Sequence, residues 1–171
     1  MASGFIACIN HGDVARQATF MHDLGHDRHM QTFLPHPDFR RSAEVLDQRR
    51  LGKQRVEAMQ VLNALARTTG GWVNHPAVRM WRGYEDALIL YTLAMCDTWR
   101  ELGHSDTVRD QMLARCPGGA APDPADTEYP PWLGDEALHR SHQSNLIRKD
   151  PAFYAPLFPG IPADLPYIWP M

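Results

Sequence analysis

Four cations fall within seven positions at Arg49, Arg50, Lys53 and Arg55, and a single carboxylate, Glu57, follows them. The whole chain carries a net charge of −3, so this run is a concentrated local field and not a general excess of base. Helical spacing places Arg50, Lys53, Gln54, Glu57 and Gln60 on neighbouring faces, with Glu57 one turn after Lys53. A cationic surface around one carboxylate suits an anionic polymer: the cations neutralise phosphates, and the acid moves a proton or stabilises a developing positive charge. The competing reading is a solvated helix face laced with charge pairs such as Lys53–Glu57.

Two other groups carry chemistry. Trp72, Asn74, His75, Arg79, Trp81 and Arg82 combine aromatics with cations, a pattern that stacks bases and grips phosphates. Core packing of Trp81 and helix capping by Asn74 or His75 explain the same residues. His139 and His142, three apart on a helix, could place two metal ligands on one face, and with His75 they would suit a metal-dependent hydrolase. No His-Glu-x-x-His pattern supports a metal, and phosphate contact or capping by His139, Arg140, His142 and Arg148 is preferred. No metal and no cofactor are expected.

The elements that must hold these residues are all helical. Asp38 or Ser42 caps a first helix that runs on through the charge run, with Gly52 loosening it, and Thr68-Thr69-Gly70-Gly71 ends it. Pro76 opens a central helix. Ala77, Trp81, Tyr84, Leu88, Tyr91, Met95, Thr98 and Leu102 form its core stripe of roughly seven turns, and Gly103 is its stop. A short helix is expected over 106–114, a loop over 116–131, and a last helix over 136–149 that Pro151 ends. The tail interleaves prolines with Phe153, Tyr154, Phe158, Tyr167 and Trp169 and reads as an extended strap anchored by its rings. No strand pair appears, so the fold class is all-α, one compact domain around one long central helix.

Residues 1–29 hold four of the nine histidines and show no sustained periodicity. They read as a poorly ordered extension, and Met30-Gln31-Thr32-Phe33-Leu34-Pro35 reads as a natural start to a single domain over 30–171. The chain has no membrane-length apolar run and no secretion signal, and its three cysteines lie far apart. A cytoplasmic protein is expected, with no membrane association and no protein partner.

Several phrases together carry a family resemblance. They are Asp47-Gln48 through Arg50-Leu51-Gly52-Lys53-Gln54-Arg55-Val56-Glu57, Asn74-His75-Pro76, Pro131-Trp132-Leu133-Gly134-Asp135-Glu136, and Asp150-Pro151 with Tyr154. The chain resembles the pyrimidine-dimer DNA glycosylases of phage endonuclease V type, and is most similar to a bacterial branch of them, from Met30 to about Pro170. The resemblance implies a compact helical, metal-free fold. It also implies glycosidic-bond cleavage at ultraviolet-induced dimers in double-stranded DNA, and nicking of the abasic strand. The nucleophile it implies is an α-amine at the mature N-terminus, whose ordinary pKa of ~7.7–8 leaves a neutral fraction at physiological pH. Glu57 matches the family's assisting carboxylate, and Arg55 is the nearest counterpart of the arginine beside it. Phosphate or base contacts fall to Arg49, Arg50, Lys53, Arg55, His75, Arg79 and Arg82.

The chain departs from the family at the nucleophile. A start at Met30 puts Gln31 second, which normally blocks removal of the initiator, so the conditional amine is that of Met30 itself. Lys53 could substitute only if deeply buried. A non-catalytic helical module that kept the fold and its nucleic-acid affinity is the alternative.

Overall fold

A computed structural model of the protein describes residues 30–70 and 72–170. The expected extension over 1–29 lies outside the described residues. Among the described residues there are seven α-helices and no strand, and no helix is long and apolar enough to cross a membrane.

Helix α1 (Phe39–Glu44) starts where Asp38 accepts a hydrogen bond from the Arg41 amide at 2.6 Å. The expected continuous helix then breaks at Val45. Asp47 caps a new helix, α2 (Gln48–Leu65), by accepting from the Arg50 amide at 3.0 Å. Gly52 therefore does not loosen the helix. It lies inside α2 because a Cβ there would sit 3.1 Å from the Trp99 ring, so its bareness lets α2 approach α4 closely.

The expected long central helix is two. Helix α3 (Pro76–Arg79) has Pro76 in its first turn and His75 as its cap, the imidazole accepting from the Ala77 amide at 3.2 Å. Gly83 then takes φ +86°, outside the helical region, and Glu85 accepts its amide proton at 3.1 Å. Helix α4 (Glu85–Glu101) follows and is the centre of the molecule, with Leu88, Tyr91 and Met95 fully buried. Trp81 stays in the core across the break, which is why the apolar stripe looks continuous in the sequence. Gly103, at φ +87°, ends α4 as its position predicts.

Helix α5 (Val108–Leu113) is held at its start by Asp106, whose carboxylate accepts from the Val108 and Arg109 amides at 3.1 Å each. An irregular stretch with one 3₁₀ turn leads to α6 (Glu136–Lys149), capped by Asp135. Pro151 does not simply end α6. It opens α7 (Pro151–Tyr154), capped by Asp150. Helices α1 and α2 pack on α4, which also packs on α5. Along the strap Tyr154 and Phe158 are buried, whereas Phe153 is exposed, its ring edge-on to Tyr154 at 4.8 Å.

Candidate functional site around Glu57

The most deeply enclosed irregular stretch is Met30 to Pro35. Thr32 and Leu34 are fully buried, and Met30 and Phe33 nearly so. A buried stretch outside helix or sheet must find partners for its backbone among side chains. Gln54 Oε1 accepts from the Phe33 amide at 2.8 Å, and Tyr91 donates to the Phe33 carbonyl at 3.0 Å. His142 Nδ1 accepts from the Leu34 amide at 2.9 Å. The Leu34 carbonyl takes the proton of His139 Nδ1 at 2.7 Å, since His139 Nε2 already accepts from the Gly134 amide at 3.0 Å. Thr32 Oγ1 accepts from Trp81 Nε1 at 3.0 Å. Polar residues from α2, α4 and α6 thus fix this segment on several sides.

Glu57 is the next link in that network. Gln54 Nε2 donates to Glu57 Oε2 at 2.7 Å and to the Gln31 carbonyl at 3.0 Å, so one nitrogen ties the carboxylate to the buried segment. Tyr91 donates to Gln54 Oε1 at 2.7 Å, which orients the amide. Lys53 Nζ lies 3.4 Å from Glu57 Oε1. Glu57 is only 7% exposed, at the edge of the packed interior and under the α2 face.

The cations divide. Arg49 is exposed, and Lys53, one turn along α2, is partly so. Arg50 turns to Asp47 and lies over the Tyr154 ring with its guanidinium carbon 5.3 Å from the centroid. Burial pushes the Asp47 carboxyl up, but hydrogen bonds from Tyr154 and Arg50 outweigh it and hold the group below its usual range. Arg55 points the other way. It pairs with Asp106 and lies 4.3 Å from the centroid of Trp99, on the side of α2 facing α4 and α5. The structure therefore does not bring Arg55 to Glu57. Lys53 also lacks the deep burial that service as an amine requires, with 38% of its side chain exposed.

Residues 30–112 match the pyrimidine dimer DNA glycosylase family. The resemblance read from the sequence holds over that stretch. The match takes in the enclosed Met30–Pro35 segment together with Gln54, Glu57 and Tyr91. Neither the curated proteins nor the solved structures contain a match to the chain. Helix α6 and the strap lie beyond the matched stretch, and α6 still bonds its Leu34 backbone through His139 and His142.

Tyr167 stacks on His142, with ring centroids 4.5 Å apart and 15° between planes. Trp169 follows at 4.6 Å from Tyr167, His75 at 5.9 Å from Trp169, and Trp72 at 5.3 Å from His75. A line of rings thus runs from exposed Trp72 to the buried side of α6. Arg82 joins its outer end by donating to the Val73 carbonyl at 3.1 Å. Arg79 is exposed on α3 in the same region. Of the residues grouped in the sequence, Trp72, Asn74, His75, Arg79 and Arg82 lie in this region and Trp81 is core, while the strap's Tyr167 and Trp169, which the sequence did not place here, are ring neighbours of His142 and His75.

The histidines do not gather as metal ligands. His75 caps α3, while His139 and His142 bond the Leu34 backbone. Among the described residues no group of three His, Cys, Asp or Glu converges. Burial, with His139 nearby, pushes His142 down to about 3. Its unfolded value is near 6.5, so the unfolded chain binds this proton first. The stabilisation is complete above pH 6.5 and drains away as pH falls towards 3, by up to about 1.4 kcal/mol per pH unit. Urea unfolding from pH 6.5 to 4.5 should show that slope, and His142→Gln should flatten it.

Two open clefts of about 540 and 670 Å³ lie elsewhere, beside the strap and between α1 and α4. Their acids, Asp38, Asp97, Asp135 and Glu136, are helix caps or ion-pair partners. Chemistry, and not size, locates the candidate site at Glu57.

Proposed function

We propose that this protein is a DNA glycosylase with abasic-lyase activity, acting on pyrimidine dimers or abasic sites in double-stranded DNA through an amine–imine mechanism. The observation that carries this reading is the Gln54 amide shared between Glu57 and the Gln31 carbonyl. An α-amine at Met30 would begin one residue away, about 3.8 Å of chain, from a backbone group already tied to the carboxylate.

The chemistry follows from that pairing. A neutral α-amine attacks the sugar's anomeric carbon as the glycosidic bond breaks. Glu57 takes the proton that the amine sheds and returns it to the sugar ring oxygen, which opens the ring to the imine. Loss of a proton from the neighbouring carbon then expels the 3′ phosphate. Arg49, Lys53, Arg79 and Arg82 supply phosphate contacts, and Trp72, His75 and Trp169 offer faces on which unpaired bases stack.

A module that binds DNA without catalysis is the second reading. It is favoured by the fact that the Met30 nitrogen is an amide in the 171-residue chain. Borohydride trapping on abasic and dimer-containing duplexes separates the two, run with the whole chain and with a form starting at Met30. A covalent adduct is expected from the Met30 form. Salt-sensitive binding with no adduct from either form would leave the module.

A further inference from the structure

Trp72 is the one exposed indole among the described residues, at 41%. Trp81 is buried, and Trp99, Trp132 and Trp169 pack against the core. Trp72 sits on a turn closed by two backbone hydrogen bonds. The Val73 amide donates to the Gly70 carbonyl at 3.3 Å, and the His75 amide to the Trp72 carbonyl at 3.0 Å. A single exposed ring is ordinary on a protein surface, so its neighbours decide whether it means anything.

The rings beside Trp72 are not stacked on it or on each other. His75 lies at 56° to Trp72, and Trp169 at 84° to His75. Deeper along the same line Tyr167 and His142 do stack, at 15°, and use up their facing surfaces. The outer end of the line therefore keeps flat aromatic surface for another partner, and the inner end does not.

Two arginines flank the outer rings, and the protein does not neutralise them. Among the described residues Arg40, Arg50, Arg55, Arg109 and Arg140 each pair with an acid, whereas Arg79 and Arg82 pair with none. Both are exposed. Arg82 donates to the Val73 carbonyl at 3.1 Å, which holds it at the Trp72 turn. The nearest acid along the chain, Glu85, accepts from the Gly83 amide. Open ring faces beside unneutralised cations match a strand whose bases are unpaired. Stacking needs a bare base face, which a duplex keeps covered, and the cations need phosphates.

We propose that Trp72, His75, Arg79, Arg82 and the strap's Trp169 form a binding site for single-stranded DNA, the rings stacking bases and the arginines holding the backbone. The inference deepens the glycosylase/lyase reading, from which it takes only DNA as the ligand. The site needs neither a Met30 amine nor Glu57, so the 171-residue chain itself carries it.

The test is fluorescence anisotropy of a labelled oligothymidine titrated with the whole chain and with its Trp72→Ala, Trp72→Phe and Arg79→Ala variants. Trp72→Ala should weaken binding about 10-fold, the scale of one lost base stack, and Trp72→Phe should recover most of it. Arg79→Ala should flatten the slope of log affinity against log salt by about 0.7, one phosphate contact on a single strand. A fully paired duplex should lose no more than about twofold with Trp72→Ala, because its base faces are covered. Unchanged oligothymidine binding by Trp72→Ala, or an equal loss on the duplex, would overturn the inference. An unchanged salt slope with Arg79→Ala would overturn it however the Trp72 variants fold. Tighter binding of oligouridine than of oligothymidine would also overturn it, by making the ligand RNA. Trp72-dependent binding by a protein whose Met30 form traps no imine would support this site and overturn the catalytic reading. Imine trapping with Trp72-independent binding would do the reverse.

Discussion

Glu57→Gln should remove imine trapping by the Met30-start protein, lowering its single-turnover rate by about 10²–10⁴-fold, the range for a lost general acid–base group. Duplex affinity should change little, because the residue is 7% exposed and offers phosphates no surface. Stability should hold as well. The amide oxygen of Gln still accepts from Gln54 Nε2, the bond the carboxylate now makes at 2.7 Å. The lost Lys53 pair is long at 3.4 Å and partly exposed, so it contributes no more than about 0.5–1 kcal/mol. Relief of a nearly buried charge offsets that loss. The variant thus separates chemistry from folding and from binding. Borohydride trapping read beside a binding titration and a melting curve gives all three. Undiminished trapping by Glu57→Gln would make this carboxylate a structural partner of Gln54 and move the acid–base chemistry to another group.

Local signals in the sequence were legible and long-range ones were not. The caps at Asp38 and His75, and the span of α6 from Glu136 to Lys149, depend on residues within a turn of one another. The breaks at Val45 and Gly83 were hidden. Asp47 looked like one more charge in a charged run, and Trp81 and Leu88 reach the same core from two helices. Glu57 and Lys53 were placed together by four-residue spacing, and the structure agrees. Arg55 is two residues from each, which is about 200° around a helix of 3.6 residues per turn, so its separation was available from the same argument. The segment from Met30 to Pro35 has no periodicity, and its partners lie far along the chain, at Gln54, Tyr91, His139 and His142. The trace it left was polar side chains at inward positions of three helices. Read as ligands or phosphate contacts, His139 and His142 are in fact the partners of a buried backbone.

Arg55→Ala is expected to behave as a folding mutation and not as a binding one. The Asp106 side chain is 0% exposed and that of Arg55 only 11% exposed, so the pair is shut away from water. Its Coulomb gain offsets two desolvation costs, and removing the cation alone strands the anion. Asp106 also holds the first amides of α5, and the Arg55 guanidinium covers the Trp99 ring that Gly52 admits. The loss therefore spreads to the contacts among α2, α4 and α5. Urea unfolding should register about 3–5 kcal/mol of destabilisation, the range for breaking a buried pair by removing one partner. Replacing both residues with apolar ones of similar volume should recover part of it. The salt dependence of DNA affinity should not move, because Arg55 neutralises Asp106 and not a phosphate. If Arg55 instead touched DNA, as its neighbours in the sequence suggest, the slope of log affinity against log salt would shrink by about 0.9 and stability would barely change. The two measurements move in opposite senses under the two placements, so a single variant decides which side of α2 meets the nucleic acid.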